Sequence, residues 1–137
     1  MPTPLTGPDP SQKVIDPVGP HAEGLKEGRL LVARCAGCGH VSLPMRPVCG
    51  RCATVGRAYW IVSSGRGRLW SFVEFHKTYS STFKLAAPYV VAVIELEEGA
   101  LIYGNVDAPY ADLEVAMPVT ARFEDTGHGR ELIFTTE

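Results

Sequence analysis

The sequence predicts a mainly β protein: a short N-terminal helix, a metal-clamped ribbon, and a five-stranded barrel behind it. Three observations carry that expectation. All four cysteines fall in two Cys-x-x-Cys hooks, Cys35-Ala36-Gly37-Cys38 and Cys49-Gly50-Arg51-Cys52. Beyond residue 60 the chain turns to alternating or β-branched apolar segments separated by turn residues. Ahead of both, residues 1–20 hold Pro2, Pro4, Pro8, Pro10, Pro17 and Pro20 among polar residues and glycines, the composition of an extended arm.

After the arm, His21 to Arg29 suits a short helix with Gly28 as its stop signal. Arg29-Leu30-Leu31-Val32-Ala33-Arg34 then reads as a strand running into the first hook. Val41-Ser42-Leu43-Pro44 is its hairpin partner, and Pro44 and Pro47 carry the chain to the second hook. Strand, knuckle, strand, knuckle is the order of a rubredoxin-like zinc ribbon, with domain bounds expected at 1–20, 21–59 and 60–137. Tyr59-Trp60-Ile61-Val62 is a further strand candidate leading out of it.

The hooks are separated by the ten residues from Gly39 to Val48. That spacing lets Cys35, Cys38, Cys49 and Cys52 surround one tetrahedral ion, and glycines in each hook permit the bent backbone of a metal knuckle. Zinc is the favoured metal, since four thiolates close its coordination sphere and leave no open position for catalysis. A rubredoxin-type iron site uses the same ligands, and disulfides or a redox dithiol are the remaining readings. His40, directly after the first hook, is expected to be a surface residue beside the knuckle.

The barrel strands follow in order. Gly67–Phe75 alternates after a Ser-Gly-Arg-Gly turn, and Tyr89–Leu96 is a nearly continuous β-branched run. Glu97-Glu98-Gly99 turns the chain into Ala100–Val106. Pro118–Phe123 and Glu131–Thr135 flank the turn at Asp125–Gly129. Five strands with little helix predict a closed barrel of the OB type, although the same periodicity suits another small barrel. Trp60 and Trp70 are expected in the core or at a ribbon–barrel contact.

Composition narrows the function. The chain has 137 residues, 45% of them hydrophobic and 20% charged, as in soluble globular proteins. Its 13 Lys+Arg against 15 Asp+Glu give a net charge of −2, which offers no bulk attraction to nucleic acid or anionic membrane. No apolar run has the length of a membrane span, and the N-terminus lacks a signal-peptide pattern, so a cytoplasmic protein with reduced thiols is expected. A thiolase-type nucleophile needs a free cysteine, and here every cysteine is committed to metal. No Gly-x-Ser-x-Gly elbow is present, and His21, His40, His76 and His128 lie in separate segments.

The ordered set of local sequences resembles the acyl-CoA-associated zinc-ribbon/OB-fold family, once catalogued as a domain of unknown function. The resemblance rests on Cys35 to Cys52 and on Pro44-x-Arg46-x-x-Cys49. It extends through Ser64-Gly65-Arg66-Gly67, Pro88 to Leu96, Gly104-Asn105-Val106, Met117-Pro118-Val119 and Phe123-Glu124-Asp125. Together these span roughly residues 25–137. The resemblance implies a non-catalytic accessory subunit that docks on a thiolase-fold enzyme and helps form or cover its acyl-CoA site. It also implies a hetero-oligomer, expected as two copies flanking a thiolase-fold dimer. An alternative is a partner of a steroid or acyl-CoA side-chain aldolase.

On that reading the long segment between the first two barrel strands, opening at His76, is the candidate substrate loop. Lys77 and Lys84 are candidates for the phosphates of coenzyme A, with Arg66 as a further phosphate contact. Tyr79, Phe83 and Phe75 are candidates to stack on adenine or line the pantetheine path. The competing structural role is a solvated loop whose aromatics close the barrel end. Outside this class, a single-stranded nucleic-acid binder would need a basic groove interleaved with aromatics, which the sequence lacks. A rubredoxin-like electron carrier and an independent enzyme are the other rivals.

Overall fold

A computed structural model describes residues 19–77, 88–126 and 129–136. The chain divides into two compact units, Met1–Ser64 with Glu98–Ala100, and Gly65–Glu97 with Leu101–Glu137.

The first unit opens with helix α1, Gly19–Lys26. It starts two residues earlier than the sequence suggests, because Pro20 lies in the first turn, where its missing N–H costs no helical bond. Gly28 ends it with φ 76°: its N–H reaches Leu25 O (3.1 Å) while Arg29 N–H reaches Gly24 O (2.8 Å). This paired closure of the last turn requires a left-handed residue, which glycine adopts at least cost. His21 Nδ1 lies 3.2 Å from Leu31 O.

Strand β1 (Leu31–Cys35) is central in a three-stranded antiparallel sheet, between β2 (Val41–Ser42) and β3 (Ala58–Val62). The segment read as leading out of the ribbon is therefore its third strand, paired from Leu31↔Val62 to Cys35↔Ala58. Leu31, Ala33, Met45 and Trp60 form a small buried cluster, with Leu43 and Ala58 packed against it. Leu30, Val32 and Val41 are buried in this unit as well, but a unit this small supplies only a modest apolar core, and a metal clamp adds to it.

The second unit is a closed barrel of β4 (Arg66–Phe75), β5 (Tyr89–Leu96), β6 (Leu101–Val106), β7 (Pro118–Thr126) and β8 (Gly129–Thr136). The strands neighbour one another in the order β4-β5-β6-β8-β7, and β7 returns to β4 through Arg66↔Thr120 and Gly67↔Val119. All pairings are antiparallel except β6 with β8, which run parallel at Asn105↔Ile133 and Val106↔Phe134. This connectivity is that of an OB-fold, and closure leaves no unpaired sheet edge. Alternation fills the barrel: Leu69, Ala92, Ile94, Leu96, Ile102, Val119 and Phe134 are buried.

Trp60 lies in the ribbon core at 5% exposure, as expected, but Trp70 does not share that fate. It sits at a β-bulge between Leu69 and Ser71 and is 55% exposed. Leu69 points into the barrel, so alternation turns Trp70 outward, and the bulge leaves Ser71 exposed on the same side.

Candidate functional site

The two hooks fold into near-copies of one another. In the first, Cys35 N–H donates to His40 O (2.9 Å) and Gly39 N–H donates to Cys35 O (2.8 Å). In the second, Cys49 N–H donates to Thr54 O (2.9 Å) and Ala53 N–H to Cys49 O (3.0 Å). The fifth residue of each hook takes a left-handed conformation, Gly39 at φ 82° and Ala53 at φ 64°. Each turn thereby aims a backbone N–H at its first sulfur, Gly37 to Cys35 Sγ (3.3 Å) and Arg51 to Cys49 Sγ (3.4 Å).

The result gathers all four cysteines as the sequence predicts, their Sγ atoms within 4.8 Å of one another. Cys35–Cys52 and Cys38–Cys49 are each separated by 3.7 Å. Sulfurs bound at about 2.3 Å from one zinc ion lie about 3.8 Å apart in a regular tetrahedron, so the donor set fits. A closed four-thiolate site gives zinc a structural role, crosslinking the end of β1 and the turn after it to the second hook. His40 contributes its carbonyl to the first hook, and its ring is not among the clustered ligands.

Little in the local sequence singles out Thr54. Its Oγ1 lies 3.0 Å from Cys52 Sγ, its carbonyl accepts the Cys49 N–H, and its side chain lies against Gly37 of the other hook. A Cβ on Gly37 would stand 2.5 Å from Thr54 Oγ1, so glycine is needed there for the two knuckles to meet. The only sequence signal was positional: Thr54 follows Cys52 as His40 follows Cys38.

The sulfurs differ as acids. The Thr54 hydroxyl and backbone N–H hold the Cys52 thiol down at about 6. The Cys49 thiol is lowered by the Cys52 and Arg51 backbone N–H groups. The His40 backbone pulls Cys38 downward, yet burial and the neighbouring sulfurs of Cys52, Cys49 and Cys35 outweigh it and push the thiol up to about 11. Zinc therefore meets one sulfur prepared as thiolate and one whose proton it must displace.

The other candidates are scattered. Arg66 pairs with Glu97 (Nε–Oε2 3.1 Å) and Arg68 with its cross-strand neighbour Glu95 (2.7 Å). Glu74 lies 3.2 Å from His76 Nε2. Lys77 is exposed, while Tyr79, Phe83 and Lys84 lie outside the described residues. Phe75 stacks on Tyr89 with ring centroids 5.3 Å apart, and Asn105 Nδ2 donates to Val90 O (3.2 Å), a structural bond.

A groove of about 880 Å³ on the barrel was not foreseen; Glu74, Tyr89, Asp107, Tyr110, Arg122 and Glu124 help line it. Arg122 bonds Asp107 Oδ2 (3.0 Å) and Glu124, and its basicity is raised by those partners, Asp107 first. Three carboxylates against one guanidinium make the groove a poor phosphate site.

A four-cysteine ribbon followed by a closed OB barrel defines a zinc-ribbon/OB-fold protein. The family models agree: residues 22–55 match the ChsH2 rubredoxin-like zinc ribbon domain, and residues 60–124 match the ChsH2 C-terminal OB-fold domain. The chain belongs to this family, also called DUF35. It is 39% identical over 95 residues to a DUF35 domain-containing scaffold protein of Methanocaldococcus jannaschii, covering 69% of this chain and 67% of that protein. It is 36% identical over 106 residues to the 3-oxo-4,17-pregnadiene-20-carboxyl-CoA hydratase alpha subunit of Mycobacterium tuberculosis, covering 75% of this chain but 32% of that one. Among solved structures it is similar to the Ltp2-ChsH2(DUF35) aldolase, with TM-score 0.75 and 26% identity, covering 91% of this chain and 98% of that chain. No helix among the described residues is long and apolar enough to cross a membrane.

Proposed function

We propose that this protein is a non-catalytic accessory subunit of an acyl-CoA enzyme, docking on a thiolase-fold partner and helping to form or cover its acyl-CoA site. One observation carries the reading: all four cysteines are gathered around a metal position, within a family whose relatives are named as scaffold proteins, a CoA-ester hydratase subunit and part of an aldolase. A chain whose thiols are all ligands has none left as a nucleophile, so covalent acyl transfer falls to the partner. Zinc supplies no chemistry to substrate here; it crosslinks the ribbon. His76, Lys77, Tyr79, Phe83, Lys84 and Arg66 are the proposed contacts for coenzyme A.

A side-chain aldolase is the second reading for the partner, favoured by the structural similarity to an aldolase complex. Co-purification of the tagged protein from its native host, with metal analysis and mass spectrometry, tests both. Zinc near one per chain with a stoichiometric thiolase-fold protein is expected. Zinc with nucleic acid, or with no partner, overturns the accessory role. In the assembled complex, Lys77→Ala with Lys84→Ala is expected to raise the KM for acyl-CoA about tenfold; an unchanged KM removes the phosphate contacts.

A further inference from the structure

From Gly28 to Val73 the chain contains no aspartate, glutamate or lysine, and its seven fixed cations there are all arginines. Arg29, Arg34, Arg46, Arg51 and Arg57 lie in the zinc ribbon. Arg29 pairs with Glu27. The side chains of the other four make no ion pair or hydrogen bond among the described residues, and Arg46, Arg51 and Arg57 are exposed. Charge balance at the metal does not account for them. Four thiolates around a divalent ion carry a net −2, which four guanidinium groups exceed by two. Arg34 and Arg46 line one recess of about 20 Å³ beside the metal site, together with His40. That is room for one oxygen-sized atom, and no carboxylate among the described residues lines it. The fold fixes both arginines. Arg34 is on the central strand, paired with Val41 on one side and Tyr59 on the other. Arg46 lies between buried Met45 and Pro47, whose carbonyl accepts the Gly56 N–H (2.8 Å).

We propose that this recess is a phosphate-binding site, in which Arg34 and Arg46 hold the phosphate group of a small ligand against the ribbon. The site is built wholly from ribbon residues, apart from the coenzyme A contacts proposed above, and does not depend on the accessory role. Arginine suits the task because its planar fork donates two parallel N–H bonds to an oxyanion, where lysine offers a point charge. His40 is a further N–H donor at the recess. The surplus of two positive charges matches a phosphate monoester, which carries about −1.5 to −2 near neutral pH, better than it matches a single carboxylate. The groove on the barrel is the opposite case, with Glu74, Asp107 and Glu124 around Arg122. A nucleic-acid strand fits less well than a small ligand. It needs a basic track several phosphates long, and residues 65–137 carry 11 Asp+Glu against 6 Lys+Arg. Inorganic phosphate and the phosphates of a nucleotide coenzyme offer the recess the same chemistry.

The test titrates the full, zinc-loaded chain at low salt with inorganic phosphate, with coenzyme A and with a thymidine oligonucleotide, using calorimetry. Arg34→Gln and Arg46→Gln are each expected to weaken phosphate binding about tenfold, and Arg34→Lys to recover only part of that loss. Arg130→Gln, which removes a cation paired with Asp125 on the barrel, is expected to match the parent. Zinc content and Tm establish that each variant folds. Arginine modification of the parent by phenylglyoxal gives a reading that needs no variant. Phosphate is expected to slow modification of Arg34 and Arg46 about fivefold, mapped by mass spectrometry, and to leave Arg130 unprotected. Coenzyme A binding much more tightly than inorganic phosphate, with both weakened in the Gln variants, supports the site and makes a nucleotide coenzyme the source. Equal affinities support the site with free phosphate as its occupant. Parent-like affinity in both Gln variants, or a parent that binds neither small ligand, overturns the proposal. An oligonucleotide affinity that rises with length and exceeds both makes the surface a nucleic-acid track, and the proposal fails. It fails too if the Gln variants lose zinc while phosphate leaves modification of the parent unchanged, since the arginines then only balance the thiolates.

Discussion

Thr54 is where the metal centre depends on a residue that binds no metal. Its hydroxyl lies 3.0 Å from Cys52 Sγ, and an O–H donor stabilises thiolate over thiol. Thr54→Val keeps the shape and removes that donor; we expect it to speed zinc transfer to a chelator about tenfold, with Thr54→Ser restoring the parent rate. A purely steric role predicts the reverse ranking of those two variants. The hooks also differ at one telling position, Gly39 at φ 82° against Ala53 at φ 64°. A left-handed alanine carries roughly 1 kcal/mol of strain. Ala53→Gly should therefore raise stability toward that amount in thermal unfolding, less glycine's extra entropy, while Gly39→Ala should lower it similarly. Acid acts in one direction. Zinc needs thiolates, and Cys38, pushed up to about 11, must surrender a proton on binding. Apparent zinc affinity is expected to weaken with each unit of falling pH, further still once Cys52 protonates near 6, as competition titrations would record.

At the scale of elements, the strands were legible because alternation and turn chemistry are local. Tyr89–Leu96 reads as one buried run in sequence and is one strand with four inward residues, Val90, Ala92, Ile94 and Leu96. Gly104 shows what local pattern omits. It interrupts β6 without breaking it, since a Cβ there would stand 2.8 Å from Phe134 Cδ1, and Phe134 is fully buried. The glycine makes room for the largest core side chain on the neighbouring strand. Gly104→Val is expected to destabilise the barrel by about 1–3 kcal/mol, measured by urea unfolding, and a smaller ring partner such as Phe134→Leu should relieve part of that loss. The bulge at Trp70 was hidden for a related reason. Register shifts arise from pairing with β5, which the β4 sequence alone does not encode.

For the whole molecule, the two units rest on different physics. The ribbon combines a small apolar core with a four-sulfur clamp, whereas the barrel closes on itself with its own apolar interior. Removing zinc with a strong chelator should collapse hydrogen-exchange protection across residues 31–62 and leave β4–β8 protected. Equal loss across both units would show that the clamp stabilises the barrel as well.

The sequence by itself determined the metal ligands, the order of the strands and the family, because spacing, periodicity and turn residues act over short stretches. Cys35, Cys38, Cys49 and Cys52 needed only their spacing to be read as one site. Tertiary structure decided that Trp60 is buried and Trp70 exposed, that Thr54 reaches Cys52, and that Val73, Val93 and Tyr103 share one face. Those outcomes depend on strand register and closure, which bring residues tens of positions apart into contact and leave no trace in local pattern.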